Sequence, residues 1–166
     1  MRHFGDSLSL VRWINGSSIA DVGSGAGFPG IVLAIVEPTR ALTLIERSEK
    51  KARFLRQVII ELDLSNVELV VEDAKSYHPT NLFDTVTARA LARPMVAWNT
   101  VRHLLRPGGH ALLQSVSSMR NLRFTGGLVR RSTNVEVVGV NRPSYVTEIE
   151  RTQFGGGAVR IPERGR

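Results

Sequence analysis

The sequence predicts an α/β fold, a mostly parallel sheet with helices on both faces. Three observations carry that expectation. Short, partly β-branched apolar runs alternate with helical patterns, the signature of βαβ units. The run Ile19–Val22 leads into a loop with four glycines in eight residues, Gly23, Gly25, Gly27 and Gly30, and then into a second apolar run. Acidic residues, Asp21 and Glu46, stand at the ends of the first two expected strands. Ligands in open α/β sheets bind at such carboxyl ends.

In chain order, residues 1–16 carry a weak helical signal in which Leu8, Leu10, Val11 and Ile14 share one apolar face. Asn15-Gly16-Ser17-Ser18 is a turn. The first strand is Ile19–Val22. Pro29 suits the opening of a helix, where a missing N–H is tolerated, and that helix runs to Val36. Glu37-Pro38-Thr39 breaks it, and Ala41–Ile45 is the second strand. Ser48 caps a helix to Leu62, with Leu55, Val58, Ile59 and Leu62 at helical spacing. Arg47, Lys50, Lys51, Arg53 and Arg56 fall mostly off that apolar face. Val67–Val71 is the third strand, and Phe83–Thr87 the fourth, ending at Ala88-Arg89-Ala90. Pro94 starts a helix to Leu105 that stops at Arg106-Pro107-Gly108-Gly109. His110–Leu113 is the fifth strand. Beyond Ser115, Asn134–Val140 and Ala158–Ile161 are read as a strand pair, the second an edge strand because of Pro162. Tyr145–Gly157 is read as loop.

Composition narrows the function classes. At 166 residues the chain is expected to form one domain, and 42% apolar content supports a packed core. The absence of cysteine excludes disulfides and cysteine-based zinc sites and is compatible with the cytosol. The four histidines have no metal-ligand spacing. No apolar run approaches the ~20 residues that span a bilayer. A net charge of +7 fits either a basic surface or a polyanionic partner such as RNA.

The glycine loop admits two cofactor classes. Gly25-x-Gly27-x-x-Gly30 fits the dinucleotide fingerprint. The frame Asp21-x-Gly23-x-Gly25-x-Gly27 also fits, and it places an acid where the cationic amino group of S-adenosylmethionine would be welcome and a pyrophosphate would not. Glu46 suits the ribose hydroxyls of either cofactor. Asp21 therefore discriminates, in favour of the methyl donor. The stretch Glu72-Asp73-Ala74-Lys75 follows the third strand, where an acid or backbone N–H meets an adenine. The end of the fourth strand faces the transferred group, which makes Arg89 the best-placed cation. The bases of 47–56, with Arg120, Arg123, Arg130 and Arg131, offer a phosphate-contacting surface.

Together these motifs resemble the bacterial methyltransferases that modify a small-subunit ribosomal RNA guanine at ring nitrogen N7, the glucose-inhibited division protein B family. Arg2-His3-x-x-Asp6-Ser7 looks like the motif ahead of that family's first strand. Asp21-Val22-Gly23-Ser24-Gly25-Ala26-Gly27-Phe28-Pro29-Gly30 matches its cofactor loop. Lys50-Lys51-x-Arg53-Phe54-Leu55-Arg56 looks like its second-helix signature, and Ala88-Arg89-Ala90 is similar to its motif after the fourth strand. The likeness covers residues 1–113. The family has a further, mostly helical N-terminal region, so residues 1–16 read as the remnant of a cover. It usually has Lys-Gly where Gln114-Ser115 stands here.

The resemblance implies a Rossmann-like class I S-adenosylmethionine-dependent methyltransferase. In it residues 17–115 form the cofactor-binding core and 116–166 a divergent C-terminal part. Gly23 and Phe28 would hold the methionine and ribose end, with Asp21 and Gly25 in the same loop. Glu46 would take the ribose hydroxyls, Ala74 and Lys75 would border the adenine, and Arg89 would sit at the reactive end or touch RNA. His3 and Asp6 would flank the target base, and Lys50, Lys51 and Arg53 would meet the RNA. The implied activity is methyl transfer to N7 of a guanine in 16S ribosomal RNA, by a cytoplasmic monomer without metal or membrane, acting on the RNA or the small ribosomal subunit. N7 keeps its lone pair at neutral pH, so no catalytic base is expected. Two other readings stay open: a cofactor-binding module without turnover, and a methyltransferase for a different substrate.

Overall fold

A computed structural model describes residues 2–89, 93–135 and 143–152, without the side chains of Arg2 and His3. The elements are α1 (Arg2–Leu8), β1 (Ser18–Val22), α2 (Gly30–Val36), β2 (Ala41–Ile45), α3 (Glu49–Glu61), β3 (Val67–Val70), β4 (Phe83–Arg89), α4 (Pro94–Val101), β5 (Leu105–Ser115), β6 (Gly127–Asn134) and β7 (Tyr145–Arg151). They build one seven-stranded sheet of order β3-β2-β1-β4-β5-β7-β6. The first five strands pair in parallel, and β7 runs antiparallel between β5 and β6. The strand order reverses direction at β1/β4, the switch point at which such sheets open a crevice.

Strand alternation sorts the core into two layers. Ala20, Val22, Val86, Ala88, Ala111, Leu113 and Ile149 pack with Trp98 and Val101 of α4. Ile19, Leu42, Leu112 and Val146 pack on the opposite face with Leu33 of α2 and with Leu10, Trp13 and Ile14. Asp21 is two residues from Ile19 and so shares the α2 face. Below the parallel strands, Asp84 accepts hydrogen bonds from the Ser17 and Ser18 backbone N–H groups at 2.8 and 3.0 Å and pairs with Arg106. Partial burial opposes its charge, but these bonds outweigh that and hold its carboxyl down at about 2.

Several expectations need correction. The N-terminal apolar face is not one helix: α1 ends at Leu8, which is exposed, and a 3₁₀ turn over Val11–Trp13 carries Leu10, Trp13 and Ile14 into the core. In α3 the buried residues are Ala52 and Leu55, whereas Leu62 lies beyond the last turn, exposed. Helix α4 stops at Val101, a 3₁₀ turn spans Arg102–Leu104, and β5 starts at Leu105. β5 therefore runs through Pro107-Gly108-Gly109, where the register against β4 shifts between Phe83 and Thr85.

The largest correction is Tyr145–Arg151, expected as loop and found as β7, with Val146, Thr147, Glu148 and Ile149 all buried. Its charge pattern disguised it. Glu148 is 5% exposed yet partnered: Arg131 Nε lies 2.6 Å away, His110 Nδ1 2.9 Å and Asn15 Nδ2 3.3 Å. The Arg131 guanidinium also covers the Trp13 ring, 3.8 Å from its centroid. A buried carboxylate with such partners is tolerable where an isolated one is not. The expected strand at 134–140 falls mostly, and that at 158–161 wholly, outside the described residues, as does Ala90.

Candidate functional site

The glycine loop sits at the carboxyl end of β1, and its geometry reassigns Asp21. That side chain is 1% exposed. The Thr87 hydroxyl donates to its Oδ1 at 2.8 Å, and the Gly30 N–H, at the start of α2, donates to its Oδ2 at 3.1 Å. Asp21 thus faces α2 beneath the loop and lies outside the cleft described below. Burial pushes its carboxyl up to about 6, against the bonds from Thr87 and Gly30 that favour the charged form. Gly30 must be glycine because a Cβ there would collide with Leu44 and come within 2.8 Å of Asp21 Oδ2.

This arrangement answers the choice between cofactors by a route different from the expected one. A pyrophosphate-binding turn offers free N–H groups from the glycine loop and the helix start. Here the Gly30 N–H is bonded to Asp21, the Gly25 N–H donates to Glu46 Oε2 at 2.9 Å, and the Gly27 N–H donates to the Ser24 carbonyl at 2.7 Å. Asp21 disfavours an anion by filling the anion's place at the helix terminus.

Glu46, just past β2, is also buried, and both its oxygens accept backbone bonds: Oε2 from Gly25 and Oε1 from the Ser48 N–H at 2.8 Å. It ties the loop to the start of α3. Unlike Asp21, it lines a cleft of about 510 Å³ across the carboxyl ends of β1, β2 and β4. Val22, Ile45 and Ala74 give this cleft an apolar floor, and Gly23, Arg47, Lys51, Glu72, Asp73, Lys75 and Arg89 line it as well. Gly23, at φ +72°, makes the turn out of β1 that a side chain would resist. Asp73 accepts the Lys75 N–H at 3.0 Å, and that bond, helped by Arg47, keeps its carboxyl below the usual range. Concavity, an apolar floor and a buried carboxylate, Glu46, past the end of β2 fit a nucleoside such as S-adenosylmethionine.

The expected cofactor residues therefore divide. Gly23, Glu46, Ala74, Lys75 and Arg89 line the cleft, while Asp21, Gly25 and Phe28 are not among the residues that line it. Phe28 packs edge-on against Phe4 of α1, with ring centroids 6.5 Å apart. Among the residues expected at RNA, Lys51 lines the cleft, and Lys50 and Arg53 are exposed on α3. Asp6 is buried, and its Oδ2 lies 3.5 Å from Arg89 Nη2. The side chain of His3 lies outside the described residues. Val96 and Thr100 of α4 line the cleft without having been singled out, because nothing in the sequence says which face of α4 borders a ligand.

Arg89 also lines a second cavity of about 360 Å³ beyond the ends of β4 and β5. Among the described residues no group of three or more His, Asp or Glu side chains could hold a metal ion, and no helix is long and apolar enough to cross a membrane.

Known proteins share this fold. The glycopeptide N-methyltransferase MtfA superposes with a TM-score of 0.72 at 15% identity, covering 90% of this chain and 96% of that one. TrmN from Thermus thermophilus gives 0.68 at 22% identity, over 87% of this chain and 48% of that one. At such identities the likeness speaks for the fold alone, the class I methyltransferase fold. By sequence, ribosomal RNA small subunit methyltransferase G of Coxiella burnetii is 45% identical over 111 residues, 67% of this chain and 54% of its own. The namesake from Hydrogenovibrio crunogenus is 44% identical over 110 residues, 66% of this chain and 51% of its own. The chain thus spans about half the length of these relatives. Residues 1–122 match the GidB family, described as rRNA small subunit methyltransferase G, and the chain belongs to that family.

Proposed function

We propose that the chain is the cofactor-binding core of an S-adenosylmethionine-dependent methyltransferase acting on N7 of a guanine in 16S ribosomal RNA. The observation that carries this reading is the cleft at the strand ends, in which Gly23, Glu46, Ala74, Lys75 and Arg89 converge beside a loop whose Gly25, Gly27 and Gly30 amides are already bonded within the protein. Glu46 takes the ribose hydroxyls, with lone pairs remaining beyond its two backbone bonds. Ala74 and Lys75 border the adenine. Arg89 stands at the reacting end, because among the described residues it lines both cavities.

The bound donor supplies a methyl group on a sulfonium, open to in-line displacement by a lone pair such as that of N7. No residue need remove a proton first. The protein's contribution is alignment and exclusion of water, and alignment is worth up to roughly 7–11 kcal/mol. Exposed Lys50, Arg53 and Arg56 on α3 hold RNA phosphates beside the cleft. The work is done in the cytoplasm, where the ribosomal RNA is.

Calorimetric titration with S-adenosylmethionine, followed by transfer of labelled methyl groups to small ribosomal subunits, tests the reading. Saturable binding with label on a guanine N7 is expected. Absence of cofactor binding overturns the proposal, and binding without transfer favours a module without turnover.

A further inference from the structure

The second cavity, about 360 Å³, has a composition unlike that of the cofactor cleft. Ala97, Leu113 and Met119 give it apolar walls, and the polar side chains Asp6, Arg89 and Gln114 stand at one side. Arg89 and Gln114 are register partners at the adjoining ends of β4 and β5. Gln114 is only 7% exposed. Its Nε2 donates to the Asp6 carbonyl at 3.2 Å, which sets the amide's orientation. Its Oε1 is buried and has no hydrogen-bond partner among the described residues. A buried acceptor without a donor is costly to a fold, and such groups mark places where a ligand completes the bonding.

We infer that this cavity receives the target base and that Gln114 Oε1 reads it as guanine by accepting a hydrogen bond from the 2-amino group. Apolar walls beside a few polar groups suit an unstacked base. Guanine alone among the four RNA bases presents two adjacent N–H donors, N1–H and the 2-amino group, on its Watson–Crick edge. Holding that edge leaves N7 uncommitted. The inference rests on the methyltransferase reading above and adds to it the residue that selects the base.

Guanosine and inosine monophosphates, which differ only in the 2-amino group, are suitable probes. Each is titrated into the full chain, with the Met119 methyl and Gln114 side-chain amide signals followed by NMR. Both signals are expected to shift, with guanosine monophosphate binding about tenfold tighter, the worth of one such hydrogen bond. Gln114→Met is expected to bring guanosine monophosphate down to the inosine level. Ser117→Trp, at an exposed position on the cavity wall, blocks both nucleotides in a protein whose amide spectrum stays folded, so it carries the test if Gln114→Met does not fold. Equal binding of the two nucleotides, no binding, preference surviving in Gln114→Met, or binding surviving in Ser117→Trp overturns the inference. Calorimetry with S-adenosylmethionine on the same parent sample separates the two claims: failure there, with nucleotide discrimination intact, counts against the methyltransferase reading alone.

Discussion

Two cavities meet at Arg89, and they are built on different principles. The larger one is walled by charged side chains, and its shape depends on carboxylates bonded to backbone: Glu46 to Gly25 and Ser48, Asp73 to Lys75, and Asp21 behind them to Gly30. The smaller one is lined by the core residues Ala88, Ala97, Leu113 and Met119 together with Asp6, Arg89, Gln114 and exposed residues such as Val116 and Ser117. The difference teaches that one group of acids does two jobs. Glu46 and Asp21 fasten the glycine loop and Asp73 fastens the turn after β3, while Glu46 and Asp73 also line the cleft. A polar pocket made in this way is sensitive to pH and to single carboxylate substitutions, whereas an apolar pocket is sensitive to volume.

Asp21 offers the largest handle on that contrast. Its folded carboxyl titrates at about 6, above the unfolded value of 3.8, so the folded state binds the proton more tightly. The resulting stabilisation is fully present below pH 3.8 and is lost as pH rises through 6, on the order of 3 kcal/mol for so buried a group. Urea denaturation of Asp21→Asn beside the parent between pH 4 and 7 should show this slope in the parent and lose it in the variant; parallel curves would mean that Asp21 is not held as described. Next, Glu46→Ala removes two charge-assisted bonds and, with them, the ribose contact proposed above. Affinity for S-adenosylmethionine should fall about 100-fold or more by calorimetry, while nucleotide binding in the second cavity is retained. Loss of both would break the independence of the two cavities.

Smaller effects sharpen the picture. Arg53→Glu with Arg56→Glu should weaken RNA binding about tenfold at low salt and flatten its salt dependence, with cofactor affinity unchanged. Equal RNA binding by variant and parent would remove α3 from the interface. The smallest expected change is in Asp21→Asn at neutral pH. Because the side chain stands behind the cleft, cofactor affinity should shift by no more than about twofold, whereas direct contact with the donor's amino group would cost more, as hydrogen bonds to charged groups do.

Asp21 also shows how far the sequence could be read. Its presence before the glycines pointed to a methyl donor rather than a dinucleotide, but the sequence did not show that its carboxylate is buried against Gly30 and Thr87. Alternation along β1 puts Asp21 on the face of Ile19, and only the packed sheet shows that α2, with Gly30, covers that face. Glu46 was placed at the cleft because an acid directly after a strand stays at its carboxyl end whichever neighbour the strand takes. For β7 the reading failed for the opposite reason. Glu148 looked like a loop residue because its partners, Arg131, His110 and Asn15, are distant in sequence and come together only when β6 and the first turn close around it.

The order of strands and helices through β5, the glycine loop and the acids at the first two strand ends were determined by the sequence alone. Each depends on residues within a few positions of one another, where periodicity and turn chemistry act directly. The insertion of β7 between β5 and β6, the pairing of Gln114 with Asp6 and the use of Arg89 as the wall between two cavities were decided by the tertiary structure. Those features join residues far apart in the chain, and their energies exist only once the sheet has brought the partners together.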